Sequence, residues 1–140
     1  MFKRKILSKL EAWKRDERHK PLILRGARQV GKTTVVNEFG SQFDNYLYFN
    51  LEMNESVRLF EMDIPLNDLV NMLFAGSGKS QREGSTLIFI DEIQNSPKTI
   101  ALLRYFYEQR PDLYVIAAGS LLENLVDVNV SFPVGRVMYM

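Results

Sequence analysis

The hydrophobic positions of this chain follow two different spacings, and each spacing predicts a different kind of element. From Phe2 to Trp13 the large apolar residues recur at intervals of three or four, which places them on one face of an amphipathic helix with a basic outer face. The segment YLYFNLE at 46–52 is densely aromatic and has no helical period, and TLIFIDE at 86–92 is an apolar run that ends in two carboxylates. Such runs are typical of strands, and the second is typical of a strand buried on both faces of a parallel sheet.

Helices and strands alternate along the whole sequence. The predicted helices cover residues 2–18, 32–40, 66–75 and 97–110, and the predicted strands cover residues 22–25, 46–52, 86–92, 113–120 and 135–140. We expect Gly76 to cap the third helix in a left-handed conformation, while Ser96 and Pro97 begin the fourth. The alternation predicts an α/β fold, in which helices cover both faces of a parallel sheet and ligands bind beyond the carboxyl ends of the strands.

Composition narrows the class of protein. Hydrophobic residues make up 46% of the 140 residues and charged residues 25%, as in ordinary globular proteins. The sequence has no cysteine, which excludes disulfides and thiolate metal sites and favours a reducing compartment, so a cytoplasmic location is expected. The longest uncharged apolar stretch, LYVIAAGSLL from Leu113, is far shorter than the roughly 20 residues of a membrane helix. We therefore expect no membrane span.

Two segments contain a glycine followed by a lysine and a hydroxyl residue, as phosphate-binding loops do. GARQVGKT, from Gly26 to Thr33, satisfies the Walker A pattern GxxxxGK[ST] between a predicted strand and a predicted helix, the context that this pattern requires. Its backbone N–H groups would face phosphate oxygens, Lys32 would reach the outer phosphates and Thr33 would coordinate magnesium. The predicted nucleotide-binding residues are Gly26, Ala27, Arg28, Gln29, Val30, Gly31, Lys32, Thr33 and Thr34.

The second segment, GSGKS at 76–80, meets neither condition. The residue five positions before Gly78 is Leu73 rather than glycine, and the preceding element is the end of a helix rather than a strand. The C-terminus of a helix carries partial negative charge, which suits the Lys79 ammonium and opposes a phosphate. Residues 76–85 are therefore expected to form a solvated loop.

The end of the third predicted strand supplies the second half of a nucleotide site, the Walker B carboxylates. Asp91 can hold magnesium through water or a hydroxyl, and Glu92 can polarise an attacking water. Thr33 and Asp91 are thus the predicted magnesium ligands, and ATP and Mg²⁺ are the predicted cofactors.

These features resemble the phosphate-loop NTPases, specifically the AAA-type ATPases. The blocks KPLILRGARQVGKTT, LIFIDEIQNSP, LRYFYE, VIAAGSLLE and SFPVGRV look like the successive signature blocks of a bacterial and archaeal group of these ATPases. In that group a second, nuclease-like domain of unassigned role follows the ATPase. The resemblance covers nearly all of residues 1–140, and it implies a three-layer fold with a five-stranded parallel sheet in the order 5-1-4-3-2.

The same resemblance adds two residues to Lys32 and Glu92 as members of the catalytic machinery. Ser120, at the end of the fourth strand, occupies the place of a polar sensor of the terminal phosphate. Arg136 resembles a later arginine that contacts phosphate in its own or a neighbouring subunit, which makes a homo-oligomer a candidate partner.

The resemblance also predicts how the chain is organised. Residues 1–20 are expected to form an N-terminal amphipathic helix, and residues 21–140 the ATPase core. The family continues past the position of Met140 through a helical lid and the second domain, so the chain is expected to be a truncated core.

The sequence thus predicts an enzyme, a P-loop ATPase, and leaves two alternatives open. One is a switch that binds ATP or ADP and changes shape with negligible turnover. The other is a nucleic-acid-associated ATPase, because the net charge is only +1 and yet eight basic residues lie in the first 20 positions, against three acidic residues.

Four further residues were weighed for a role at the site. Arg28, Arg104 and Arg110 could each act as an arginine finger, although a solvated surface role is the favoured interpretation. His19, the only histidine, is expected on the surface, where it would hold no metal on its own.

Overall fold

The computed structural model describes residues 2–24, 31–79, 84–119 and 138–139 of the chain. The helices are α1 (Phe2–Arg15), α2 (Lys32–Gly40), α3 (Asn54–Phe60), α4 (Leu66–Ser77) and α5 (Pro97–Gln109). The strands are β1 (Leu22–Leu24), β2 (Asn45–Asn50), β3 (Thr86–Asp91), β4 (Tyr114–Ala118) and β5 (Met138–Tyr139), and a 3-10 turn at Ile93–Asn95 follows β3.

The sheet is parallel throughout. Its strands lie in the order β2-β3-β4-β1-β5, so β4 separates the strand that precedes the phosphate loop from the strand that ends in the carboxylates. The predicted order 1-4-3-2 is confirmed. At the edge, Met138 and Tyr139 pair with Leu22 and Ile23. The described sheet is therefore four strands with a two-residue ladder beside β1, rather than five full strands, because only these two residues of the predicted strand 135–140 pair with it.

Side chains on the strands alternate between two cores, one on each face of the sheet. One core joins the sheet to α3, α4 and α5, and its strand residues are Ile23, Leu47, Ile88, Ile90, Val115 and Ala117. The other joins the sheet to α1 and α2, and its strand residues are Leu22, Leu24, Leu87, Phe89, Ile116 and Ala118. Successive strand residues point to opposite faces, which explains why β1, β3 and β4 are almost continuously apolar. The predicted three-layer α/β arrangement is confirmed.

Two helix predictions need correction. Gly76 lies inside α4, and the left-handed C-terminal cap falls at Gly78, with φ 70°. The helix continues because the Ser77 hydroxyl donates to the carbonyls of Leu73 and Phe74, at 3.0 Å each. α3 was not predicted. At Pro97, in contrast, the predicted start of α5 is confirmed, since the Ser96 side chain accepts a hydrogen bond from the first turn.

The segment between α1 and β1 is packed more tightly than its charged sequence suggests. His19 is buried, with 8% of its surface exposed, so the expectation of a surface residue is wrong. Its ring stacks on Tyr114 at 3.9 Å between centroids and lies 3.1 Å from the Leu113 carbonyl. Trp13 is in the core, and its indole N–H donates to the Lys20 carbonyl at 2.8 Å. Among the described helices, none is long and apolar enough to cross a membrane.

Candidate nucleotide site

The turn into α2 depends on a glycine. Gly31 has φ 113° and ψ −17°, in the left-handed region that residues with a side chain rarely adopt. Its carbonyl accepts the Val35 N–H at 2.8 Å, so the helix begins directly after this turn. Lys32, Thr33 and Thr34 therefore form the first helical turn, where unpaired N–H groups and the helix dipole favour an anion.

The two halves of the predicted site meet in the structure. Asp91 is the last residue of β3, and its Oδ2 accepts a hydrogen bond from Thr33 Oγ1 at 2.9 Å. Both residues are partly exposed. The first turn of α2 thus lies against the carboxyl end of β3, although these residues are far apart in the sequence.

Both oxygens of the Asp91 carboxylate accept further hydrogen bonds. The Tyr48 hydroxyl donates to Oδ2 at 3.0 Å, and the Glu92 N–H donates to Oδ1 at 2.9 Å. Burial of the phenol and, next, the negative charge of Asp91 raise the pKa of Tyr48 to about 12. The phenol therefore keeps its proton at neutral pH and remains a donor. Together with Thr33, these donors fix the orientation of the carboxylate.

Glu92 lies where the chain leaves the strand. Its φ of 55° and ψ of 44° are left-handed, and it is the one non-glycine residue with positive φ among the described residues. Such a conformation costs on the order of 1–3 kcal/mol and is often found at functional sites. The Gln94 amide donates to Glu92 Oε1 at 3.1 Å and so holds the carboxylate from within the following 3-10 turn.

The donor set fits a magnesium nucleotide. A hydroxyl and a carboxylate 2.9 Å apart are the oxygen ligands that Mg²⁺ prefers. Within the described ranges no group of three or more His, Cys, Asp and Glu residues could hold a metal by itself. A site of one carboxylate and one hydroxyl is typical of Mg²⁺ that is bound together with phosphates and waters.

Comparison with known families agrees with this geometry. The AAA domain family matches residues 18–140. The chain belongs to the AAA domain family. No curated protein matches the sequence.

Solved structures share the fold of this AAA domain. The Aeropyrum pernix ORC1 protein in complex with DNA has a TM-score of 0.59 at 15% identity, over 98% of this chain and 43% of that chain. PCH-2 of C. elegans has a TM-score of 0.58 at 15% identity, over 99% and 42%. Drosophila ORC bound to DNA has a TM-score of 0.57 at 12% identity, over 99% and 87%. The chain spans less than half the length of the first two, and at these identities the likeness shows the fold alone.

The structure places some predicted site residues and leaves others untested. Lys32, Thr33, Asp91 and Glu92 lie at one edge of the sheet, as predicted. Gly26 to Val30, Ser120 and Arg136 lie outside the described residues, so their roles stay predictions.

The rejected segment GSGKS occupies the end of a helix in the AAA domain. The Lys79 N–H donates to the Phe74 carbonyl at 3.3 Å, as in a capped C-terminus, and the Lys79 side chain is exposed. Gly76 and Ser77 belong to α4 itself, so the predicted loop begins two residues later than expected.

Two candidate arginine fingers are paired on the surface. Arg104 lies 3.6 Å from Glu108 one turn along α5. Arg110 binds both oxygens of Asp112, at 3.1 and 3.0 Å, and this hydrogen bonding lowers the pKa of the Asp112 carboxyl. These contacts agree with the favoured surface interpretation. Arg28 lies outside the described residues.

Sequence reasoning missed two residues at the site, Tyr48 and Gln94. Tyr48 was interpreted only as part of a strand, and its contact with Asp91 depends on the register of β2 against β3. Gln94 follows the carboxylates by two residues, and the sharp turn at Glu92 brings it back to them. The polar residue straight after a strand end was the available signal for Gln94.

Proposed function

We propose that this AAA domain binds ATP with Mg²⁺ and hydrolyses the nucleotide to ADP and phosphate. The observation that carries the proposal is the 2.9 Å hydrogen bond between Thr33 and Asp91. It brings the first turn after the phosphate loop against the carboxylate of β3, and a magnesium nucleotide needs both. Membership of the AAA domain family supports nucleotide binding.

The described residues can bind the phosphates from two sides. The N–H groups at the start of α2 and the Lys32 ammonium would face the outer phosphates, joined by the N–H groups of residues 26–31. Thr33 and Asp91 would hold Mg²⁺. When bound, Mg²⁺ would neutralise negative charge on the β- and γ-phosphates.

Glu92 would position the water that attacks. The water oxygen bonds to the γ-phosphorus while the bond to the β–γ bridging oxygen breaks, so that ADP leaves with that oxygen. Lys32 would neutralise charge that develops on the transferred phosphoryl group. We assign Ser120 as the sensor of this group and Arg136 as an arginine that acts within a homo-oligomer. Pairing of Met138 and Tyr139 with β1 supports a five-stranded sheet that brings residue 136 near this edge.

The two lysines of the chain that follow a glycine provide a matched test. Replacing Lys32 with Ala should reduce ATP turnover by about a hundredfold or more, because one charged contact to the transferred group is lost. Replacing Lys79 with Ala removes the same charge from the capped end of α4 and should leave turnover unchanged. Steady-state phosphate release and the Kd of a fluorescent ATP analogue would be measured for both variants.

Single-turnover hydrolysis separates the enzyme from the switch. Conversion of bound ATP to ADP that disappears in Lys32→Ala supports hydrolysis at this site. Tight Mg²⁺-dependent binding without conversion would instead identify a nucleotide-dependent switch. Equal turnover in the wild type and in Lys32→Ala would remove the site itself.

A nucleic-acid-associated ATPase is the second candidate function. The observation that favours it is the outer face of α1, where Arg4, Lys5, Lys9 and Arg15 are all exposed. Two of the structural relatives, the A. pernix ORC1 protein and Drosophila ORC, are bound to DNA. The cations of α1 would contact phosphates without reading sequence.

A further inference from the structure

The edge strand β2 brings an aromatic hydroxyl to the carboxylate of β3. In the parallel register Asn50 is opposite Asp91 and Tyr48 is opposite Phe89. Tyr48 and Asp91 therefore lie on the same face of the sheet, on diagonal positions that a long aromatic side chain can span. The hydroxyl reaches Asp91 Oδ2 at 3.0 Å.

The ring of Tyr48 is anchored on one side only. It packs against Phe89 at 5.4 Å between centroids, whereas 40% of the residue is exposed. Burial of the ring alone would be served equally well by phenylalanine. The hydroxyl is the part of the side chain whose partner is at the site.

We propose that Tyr48 is a positioning residue for the magnesium site, which acts by orienting the Asp91 carboxylate. This inference rests on the proposed function. Thr33 and Tyr48 donate to the same oxygen of Asp91, from α2 and from β2. When the Thr33 oxygen turns its lone pair to the ion, the Tyr48 hydrogen bond still holds the carboxylate plane.

The proposal predicts an effect on the metal rather than on the nucleotide. Donors that orient a metal-binding carboxylate typically account for about 10–100-fold in metal affinity. Removal of the Tyr48 hydroxyl should therefore raise the Mg²⁺ concentration needed for nucleotide binding. A residue that only packs the edge of the sheet would change stability and leave the Mg²⁺ dependence as it was.

The test is a Mg²⁺ titration of fluorescent ATP-analogue binding by the intact chain. We expect Tyr48→Phe to raise the half-saturating Mg²⁺ concentration by about tenfold and to leave the Kd measured in EDTA unchanged. Tyr46→Phe is the matched control, since Tyr46 lies on the same strand and the same face, but its hydroxyl donates to Asn37 on α2. This control should keep the wild-type Mg²⁺ dependence.

The outcomes distinguish this proposal from the function on which it rests. A wild type without Mg²⁺-dependent binding would overturn both. Mg²⁺-dependent binding that is identical in the wild type and in Tyr48→Phe would overturn the role of Tyr48 alone. An equal shift in Tyr46→Phe would also overturn it, because the effect would then belong to the strand.

A double-mutant cycle tests whether Tyr48 acts through Asp91. In an Asp91→Asn background, Tyr48→Phe should shift the Mg²⁺ dependence by less than twofold, because the oriented carboxylate is already gone. A tenfold shift in both backgrounds would show that Tyr48 acts independently of Asp91 and would contradict the proposal.

Discussion

At the scale of single residues, the position of the Glu92 carboxylate depends on its neighbours. The left-handed backbone at Glu92 turns the chain out of β3, and the Gln94 amide then holds the side chain at 3.1 Å. Gln94 in turn fits against β4 because Gly119 has no side chain. A Cβ at Gly119 would lie 2.1 Å from Gln94 Oε1 and 3.3 Å from the Ile93 nitrogen.

Replacing Gly119 with Ala should therefore affect catalysis more than folding. The atom that must move is the end of a flexible side chain, so the loss of stability should be about 1 kcal/mol. Gln94 would move away from Glu92, and misplacement of the water-positioning carboxylate can lower kcat by up to about a hundredfold. The measurement is kcat together with the Kd for ATP, which should stay near the wild-type value.

Gly76 provides the control for this substitution. It lies within α4, and a Cβ there would meet nothing within 4 Å. Gly76→Ala should stabilise the protein by roughly 0.5–1 kcal/mol without a change in kcat. Unchanged kcat in Gly119→Ala would mean that Gln94 does not position Glu92.

Motif residues were predictable individually, whereas their supporting contacts were not. Lys32, Thr33 and Asp91 follow from a spacing pattern and from the rule that parallel strands end at one edge. The hydrogen bond from Tyr48 requires the pairing register and a side-chain conformation, which local patterns do not contain. The burial of His19 likewise depends on Tyr114, a residue nearly 100 positions away, as the ring stacking shows.

At the scale of elements, α1 has one face in the core and one face with exposed cations. Leu10 and Trp13 are buried against α2 and the sheet, while Arg4, Lys5 and Lys9 are exposed on the outer side. The cations can therefore be neutralised without disturbing the packing of α1.

Neutralising Arg4, Lys5 and Lys9 with Gln should weaken DNA binding if α1 contacts phosphates. Three lost contacts should reduce the slope of log K against log salt concentration by about 3, with the loss of affinity largest at low salt. The measurement is fluorescence anisotropy of a labelled duplex over a series of salt concentrations.

The matched control carries the same change in net charge on other elements. Arg58, Lys79 and Arg104 are exposed on or beside α3, α4 and α5, across the sheet from α1. Their replacement with Gln should leave the salt slope unchanged. An equal loss of affinity in both triple variants would indicate a response to net charge and would exclude α1 as the binding surface.

Element types were predictable here, and boundaries were less so. The strongly periodic or strongly apolar segments gave α1, α2, α5 and β3 close to their observed limits. The end of α4 was misplaced because Gly76 and Gly78 are equally able to cap a helix, and the choice depends on the Ser77 side chain. α3 is only seven residues long, too short for a clear periodic signal.

At the scale of the whole molecule, the sheet positions the site. Two cores fix α2 on one face and α4 and α5 on the other, so the carboxyl ends of the strands form one edge. That edge holds Lys32 and Thr33 opposite Asp91 and Glu92. The order of the four strands could be inferred from a family resemblance, whereas hydrophobic patterns alone do not set which strands are neighbours.

The central claim is that one Mg²⁺ nucleotide lies between the start of α2 and the end of β3. The most direct test is a crystal structure of the chain with Mg²⁺ and a hydrolysis-resistant ATP analogue. The predicted result has the terminal phosphate at Lys32, Mg²⁺ about 2.1 Å from Thr33 Oγ1, and the Asp91 carboxylate facing the ion. An analogue bound elsewhere, for example beside Lys79, or an Asp91 carboxylate turned away from the ion would contradict the claim.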